Sequence, residues 1–147
     1  MVSQKGLYKS LKCMIEWTKQ QQDRMDEEMP KGHFSQKQWL KEFCVVKFGL
    51  PRQSGHTTFA KQLLEEIGLG ALYIAPNPDM LRHADILPQH RMTIEGIRNG
   101  RHCGRRIQAV IVDCVSLMSQ HTLECLYEAF APIAQHAEPH FIMLLLE

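Results

Sequence analysis

Residues 51–58, which read PRQSGHTT, combine the residue types that can bind a phosphate group. They follow a short apolar run and precede an amphipathic run, an order that predicts a loop between a strand and a helix. Small residues in such a loop let backbone N–H groups turn towards an anion. The first turn of the helix adds N–H donors and the positive end of its dipole. The hydroxyl of Thr57 could bind an accompanying Mg²⁺ ion.

Two positions of this loop depart from the pattern G-x-x-x-x-G-K-[ST], which cradles phosphates between a strand and a helix. Gly55 and Thr57 match, whereas Leu50 takes the place of the first glycine and His56 that of the lysine. A lysine would set an ammonium against the β- and γ-phosphates, but histidine is shorter and only partly charged near pH 7. We expect an anion site to survive this change and efficient phosphoryl transfer to be lost. An ordinary turn and helix start would also fit these residues.

The elements that would position the loop alternate between apolar strands and amphipathic helices. Strands are predicted at residues 43–48, 71–75, 107–112 and 141–146, and Asp113 stands at the carboxyl end of the third. Helices are predicted at residues 7–28, 35–42, 57–67, 79–86, 92–98 and 119–130, with a loop bracketed by Pro132 and Pro139. Continuously apolar strands are typical of parallel strands covered on both faces. The fold class is therefore α/β, with a doubly wound, mainly parallel sheet flanked by helices.

The sequence also predicts the burial of several side chains outside the loop. Trp17 and Trp39 are expected to pack in the core or between helices, and the polar residues 20–23 to be solvated. The five cysteines include no C-x-x-C pair, which argues against a disulfide framework and a zinc site. Most of them are expected to be buried as small hydrophobic groups.

The loop resembles that of a known family. Its residues Arg52, Gln53, Gly55, Thr57 and Thr58 are similar to the R-Q-x-G-K-T-T phosphate loops of phage terminase large-subunit ATPases and related helicase-like ATPases.

Three further segments carry the same resemblance. Residues 36–40 resemble the segment whose glutamine contacts adenine, here Gln38. Residues 71–77 are similar to the second-strand motif. Residues 110–113 resemble the Walker B strand, whose aspartate orders Mg²⁺ through water, here Asp113.

The resemblance implies a truncated P-loop NTPase-like (RecA-like) α/β domain over residues 35–147, after an N-terminal helical extension at residues 1–34. ATP and Mg²⁺ are the implied cofactors, with Thr57 and Asp113 at the metal. The implied nucleotide-binding residues are Arg52, Gln53, Ser54, Gly55, His56, Thr57, Thr58 and Gln38. Cys114 stands where the catalytic glutamate normally follows the aspartate, which together with His56 implies weak or absent hydrolysis.

Charge is distributed unevenly although the formal net charge is only +1. Arginines cluster after residue 90, where guanidinium groups could contact the phosphate backbone of a nucleic acid. The candidates are Arg98, Arg101, Arg105 and Arg106. A solvated charged face is the alternative interpretation of this cluster.

These observations leave three functions open. The first is a degenerate P-loop ATPase-like protein of DNA metabolism, for example a phage protein, with a regulatory or interaction role. The second is an active DNA-processing ATPase in which Arg52 substitutes for the lysine. The third is a protein-binding scaffold that docks through helix 7–28. No apolar run is long enough for a membrane span and no signal peptide is evident, so we expect a cytoplasmic protein, or one in the host cytoplasm if it is viral.

Overall fold

Four parallel strands form the centre of the molecule. The computed structural model of the protein describes residues 4–29, 33–49 and 56–147. The strands are β1 (Val45–Phe48), β2 (Ala71–Ile74), β3 (Ala109–Val112) and β4 (Ile142–Leu146). The α-helices within the described ranges are α1 (Gln4–Glu28), α2 (Gln36–Trp39), α3 (His56–Ile67), α4 (Pro78–His83), α5 (Ile94–Arg98) and α6 (Gln120–His136). A π-helical turn spans Leu40–Cys44, and 3₁₀ turns span Gly68–Gly70, Pro88–His90 and Val115–Leu117.

The strands lie in the order β1-β4-β3-β2, and every pair is parallel. The register sets Val45 beside Met143 and Ala71 beside Ala109. The three strands β2, β3 and β4 are buried along their whole length. The predicted α/β class, with an all-parallel sheet flanked by helices, is therefore confirmed.

Successive residues of each strand point to opposite faces of the sheet. On one face, here called the α6 face, Val110 and Met143 pack in a cluster with α2, the π-helical turn, α5 and α6. On the other, here called the α3 face, Ile111 and Leu144 pack with α1, α3 and α4. The helix after β1 and the helix after β3 thus cover different faces.

Side-chain caps set the starts of four of the described helices. In each case an oxygen at the N-cap accepts a hydrogen bond from a backbone N–H in the first turn, which satisfies a donor that the helix leaves unpaired. The caps are Ser35 for α2, Asn77 for α4, Thr93 for α5 and Ser119 for α6.

Helix α1 belongs to the same core as the sheet, and a buried glutamine helps to hold it there. Leu11 and Ile15 pack into the cluster of the α3 face. The Gln22 amide donates to the carbonyls of Phe43 (3.0 Å) and Phe141 (2.7 Å), and its Oε1 accepts from the Phe141 N–H (3.3 Å). The expectation that residues 20–23 are all solvated is therefore wrong for Gln22, which is only 4% exposed.

The predicted strand 43–48 begins two residues too early. Phe43 and Cys44 belong to the π-helical turn that continues α2. Trp39 is buried, as expected, and its ring lies 5.0 Å from that of Phe43, centroid to centroid. Aromatic packing on the α6 face therefore keeps this apolar segment helical until Val45.

Helix α6 continues past the predicted boundary at residue 130 to His136, with Pro132 inside it. An interior proline removes one helical hydrogen bond and can destabilise a helix by about 3 kcal/mol. Pro132 is exposed, whereas Ala131 and Ala134 on either side are buried in the core. The core contacts of the last turns outweigh the local penalty.

Two further predictions, on the burial of Trp17 and of the cysteines, are wrong. Trp17 was expected to be packed, but it is 62% exposed because the buried stripe of α1 runs along Leu11, Ile15 and Thr18. Of the five cysteines only Cys44 is buried, so the expectation of a mostly buried set is wrong. None of the helices in the described part of the chain is long and apolar enough to cross a membrane.

Candidate functional site

The carboxyl ends of the strands form one edge of the sheet, where parallel α/β proteins bind ligands. β1 ends there, ahead of the predicted phosphate loop, and Asp113 directly follows the last residue of β3. β4 lies between these two strands. Because neighbouring strands lie about 4.8 Å apart, the ends of β1 and β3 are separated by two spacings, about 10 Å.

Asp113 is buried and held by donors on both carboxylate oxygens. It is 2% exposed. The Tyr73 hydroxyl donates to Oδ2 at 2.5 Å, and the N–H of Cys114 donates to Oδ1 at 2.8 Å. Its own N–H donates to the Ile74 carbonyl at 2.9 Å. A buried carboxyl group requires such partners, and these fix its position between the ends of β2 and β3.

Cys114 is the residue at which the chain leaves β3. Its backbone is left-handed, with φ 52° and ψ 45°, a conformation that is uncommon for a residue with a β-carbon. Burial, together with the charge of Asp113 and a hydrogen bond to it, raises the pKa of the Cys114 thiol to about 11. The thiol is therefore protonated at neutral pH, so it is neither a reactive nucleophile nor a substitute for a glutamate base.

The predicted phosphate loop lies mostly outside the described residues, which leaves its assignment a prediction. This holds for Arg52, Gln53, Ser54 and Gly55. Helix α3 begins at His56, so His56 and Thr57 are placed in its first turn by their backbones alone. Thr58, one position further on, is exposed.

Gln38 lies on the opposite side of the sheet from α3. It is part of α2, which packs on the α6 face, whereas α3 packs on the other face. The Gln38 side-chain amide lies 3.4 Å from Glu42 Oε1. An adenine contact by Gln38 stays a prediction, and it would require the nucleotide to reach around the edge of the sheet.

The arginines predicted to bind nucleic acid do not form a single group. Arg101 lines a cleft with Arg82 and Arg91, whereas Arg105 and Arg106 line clefts beside the amino ends of the strands. Arg98, on α5, lines none of these three clefts.

One cavity in the described part of the chain does not include Asp113 in its wall. It has a volume of about 340 Å³ and lies between α1 and α3, over the amino-terminal parts of β3 and β4. A smaller cavity of about 170 Å³ adjoins the carboxyl end of β2, with Ala75 and Asn77 in its wall. We place the candidate site at the carboxyl edge because it holds the buried carboxylate of Asp113, whereas the floor of the 340 Å³ cavity is mainly apolar.

No cluster of three or more histidine, cysteine, aspartate or glutamate side chains that could hold a metal occurs within the described ranges. Two side chains are implied at the Mg²⁺ site, Thr57 and Asp113. The structure describes the carboxylate of Asp113, whereas the side chain of Thr57 lies outside the described part.

Sequence reasoning missed Tyr73 at this site. Its signal was a tyrosine in an otherwise aliphatic buried strand, since a buried tyrosine hydroxyl usually finds a hydrogen-bond partner. It also missed Arg82 and Arg91, which contribute to the cleft with Arg101 only through the tertiary fold.

Comparison with known proteins does not assign this arrangement to a family. No family model matches the chain, and no curated protein matches it significantly.

Proposed function

We propose that the protein is a nucleotide-binding α/β domain of the P-loop type that hydrolyses nucleotide weakly or not at all. The observation that supports this most directly is the strand order β1-β4-β3-β2. Because the helices after β1 and β3 cover different faces, the connections from these strands run in opposite directions, and α/β sheets commonly bind ligands at the carboxyl edge where this happens. β1 ends at Phe48 on one side of that position and Asp113 follows β3 on the other, and the predicted phosphate loop comes directly after β1 in the sequence.

The proposed ligand is a nucleoside triphosphate with Mg²⁺. Backbone N–H groups of the loop and the first turn of α3 would hold the phosphates. Thr57 and Asp113 would hold the metal, Asp113 through water because Tyr73 and the Cys114 N–H already contact its oxygens. The separation of about 10 Å between the two strand ends leaves room for a phosphate, the ion and a water between them.

Weak hydrolysis follows from the two substituted positions. His56 does not supply the permanent ammonium that stabilises charge on the transferred phosphoryl group. Cys114 stands where a carboxylate would activate water, and its thiol, with a pKa of about 11, cannot accept a proton at neutral pH.

The test is a titration of the full chain with a fluorescent ATP analogue and Mg²⁺. We expect saturable binding that is lost in Thr57→Ala and kept in Thr122→Ala, a matched change on α6. His56→Lys is expected to tighten binding. If neither the wild type nor His56→Lys binds, the proposal is wrong. If only His56→Lys binds, the loop is of the P-loop type but nucleotide binding is not the function of this chain.

A further inference from the structure

The segment from α4 to β3 is unusually rich in arginine. Residues 78–108 contain six arginines, no lysine and the acids Asp79, Asp85 and Glu95. Asp79 pairs with Arg82, and Asp85 lies 3.6 Å from Lys61. Across the described ranges of the chain, no carboxylate forms an ion pair with the remaining five, which are Arg91, Arg98, Arg101, Arg105 and Arg106. Their positive charges are therefore available to an external anion.

Three arginines converge on a cleft of about 350 Å³ near the carboxyl end of β2. Arg82 comes from α4, Arg91 from the segment that pairs with the edge of β2, and Arg101 from the turn after α5. The Cδ atom of Arg101 packs over Gly96, where a β-carbon would lie 3.5 Å from it. The stem of Arg101 is thus supported while its residue as a whole stays exposed.

Two further arginines line open clefts near the amino end of β2, the outer strand of the sheet. Arg105 and Arg106 border a cleft of about 600 Å³ together with Gly70, which immediately precedes β2. They also border a second cleft of about 550 Å³ that extends towards the end of α6.

A hydrogen bond joins the two groups of arginines. The Arg105 guanidinium donates from Nη2 to the carbonyl of Gln89 at 2.8 Å, two residues before Arg91. Arg91 in turn lies alongside Tyr73, and the next N–H, that of Met92, donates to the Tyr73 carbonyl at 3.1 Å. The cations therefore follow the outer edge of β2 from one end to the other. Four strand residues span about 13 Å.

We propose that this arginine band, consisting of Arg91, Arg101, Arg105 and Arg106, binds the phosphate backbone of a nucleic acid without reading its base sequence. Guanidinium groups match phosphate oxygens in a two-pronged geometry that an ammonium lacks, and every cation of the band is an arginine. The clefts are concave, and their linings include no Phe, Tyr or Trp on which bases could stack. Backbone contacts without stacking favour a duplex, whose bases are already paired.

The band refines the prediction made from sequence. Arg98 lies outside its clefts and is expected to contribute little, whereas Arg91 is expected to contribute directly. The inference does not depend on nucleotide binding, because the band lies along β2 and the proposed nucleotide site lies at the carboxyl ends of β1 and β3.

The test measures fluorescence anisotropy of a labelled 20-base-pair DNA duplex with the full chain over a range of salt concentrations. We expect Arg91→Ala, Arg106→Ala and Arg101→Gln each to weaken binding severalfold. The glutamine keeps much of the stem that packs over Gly96. Each should reduce the slope of log affinity against log salt by about 0.9, the value for one phosphate contact on duplex DNA. Affinities for two unrelated duplex sequences should be equal.

Arg24→Ala is the matched control, because Arg24 on α1 is exposed, pairs with Glu28 and lies outside the band. The proposal is overturned if this variant weakens binding as much as the others, or if the wild type does not bind the duplex at low salt. Binding to anionic phospholipid vesicles in place of the duplex would also overturn it. Thermal unfolding of each variant identifies any change that acts through the fold.

Discussion

The hydroxyl of Tyr73 on β2 donates a hydrogen bond of 2.5 Å to Oδ2 of Asp113 at the end of β3. The two strands are already paired along their backbones, from Ala71 beside Ala109 to Ile74 beside Val112. The side-chain contact extends this pairing beyond the last ladder residue. It also joins the α3 face, where the Tyr73 ring is buried, to the edge where we place the candidate site.

Replacing Tyr73 with phenylalanine removes this donor and leaves the ring in place. Because the acceptor is buried, we expect the free energy of unfolding to fall by about 1–3 kcal/mol. Urea denaturation, monitored by circular dichroism, measures the change in the free energy of unfolding. Tyr127→Phe serves as the control, since the Lys41 ammonium contacts the face of the Tyr127 ring, which the substitution keeps. A loss below about 0.5 kcal/mol in Tyr73→Phe would show that the hydrogen bond contributes little to stability.

Replacing Gln22 with alanine is expected to loosen α1 from the sheet. The substitution leaves the carbonyls of Phe43 and Phe141 and the N–H of Phe141 without their side-chain partner. Unpaired buried polar groups of this kind are costly, and we expect a loss of about 2–4 kcal/mol in urea denaturation. Gln20→Ala, two residues earlier and exposed, should change stability by less than about 0.5 kcal/mol. Equal effects of the two substitutions would contradict the role of Gln22.

Thiol labelling should separate Cys114 from the exposed cysteines. Burial and the neighbouring Asp113 raise the pKa of its thiol from 9.0 to about 11, so at pH 8 the fraction of thiolate is about 100-fold below that of an unperturbed thiol. With iodoacetamide and peptide mass mapping, we expect Cys13 and Cys103, which are exposed, to react first. Labelling of Cys114 as fast as Cys13 in the folded protein would refute this.

The protein is expected to lose stability in mild acid through His102. Burial lowers the pKa of this side chain from 6.5, and the nearby Ala129 backbone opposes this shift only in part. The unfolded chain therefore binds a proton before the folded chain does, so stability is full above pH 6.5 and falls as the pH decreases towards the folded pKa. Unfolding curves from pH 8 to pH 5 measure this loss. It should shrink in His102→Phe and persist in a matched His121→Phe, and an unchanged pH profile in His102→Phe would exclude His102 as its cause.

Much of the fold was predictable because β2, β3 and β4 are continuous apolar runs. The runs around Val110 and Leu144 have no polar residue that could face water. They therefore predict a sheet that is covered by helices on both faces. The errors occur where tertiary contacts override local signals. Pro132 would end an isolated helix, and Phe43 has a high strand propensity. Packing in the core of the α6 face holds both in helical conformations.

The candidate site was predictable only in part. Asp113 could be placed at a strand end from the apolar run before it, and the structure confirms that position. Its partnership with Tyr73 depends on the alignment of β2 with β3, which single-sequence periodicity does not fix. For the same reason the sequence does not predict that Arg101 and Arg105 line different clefts. The irregular chain between them can direct the two side chains to different places. The loop at residues 51–55 remains a prediction.

The central position of β4 constrains when the sheet can assemble. β2 and β3 can pair once residue 112 has left the ribosome, but β1 pairs with β4, where Val45 lies beside Met143. During synthesis β1 therefore stays without its partner strand until residues 142–146 have been made. Pairing over such a distance along the chain slows folding and prolongs the exposure of apolar strands. Local contacts within helix α1 can form early, but β1 joins the sheet only when β4 is present, so the carboxyl edge that holds the candidate site is completed late.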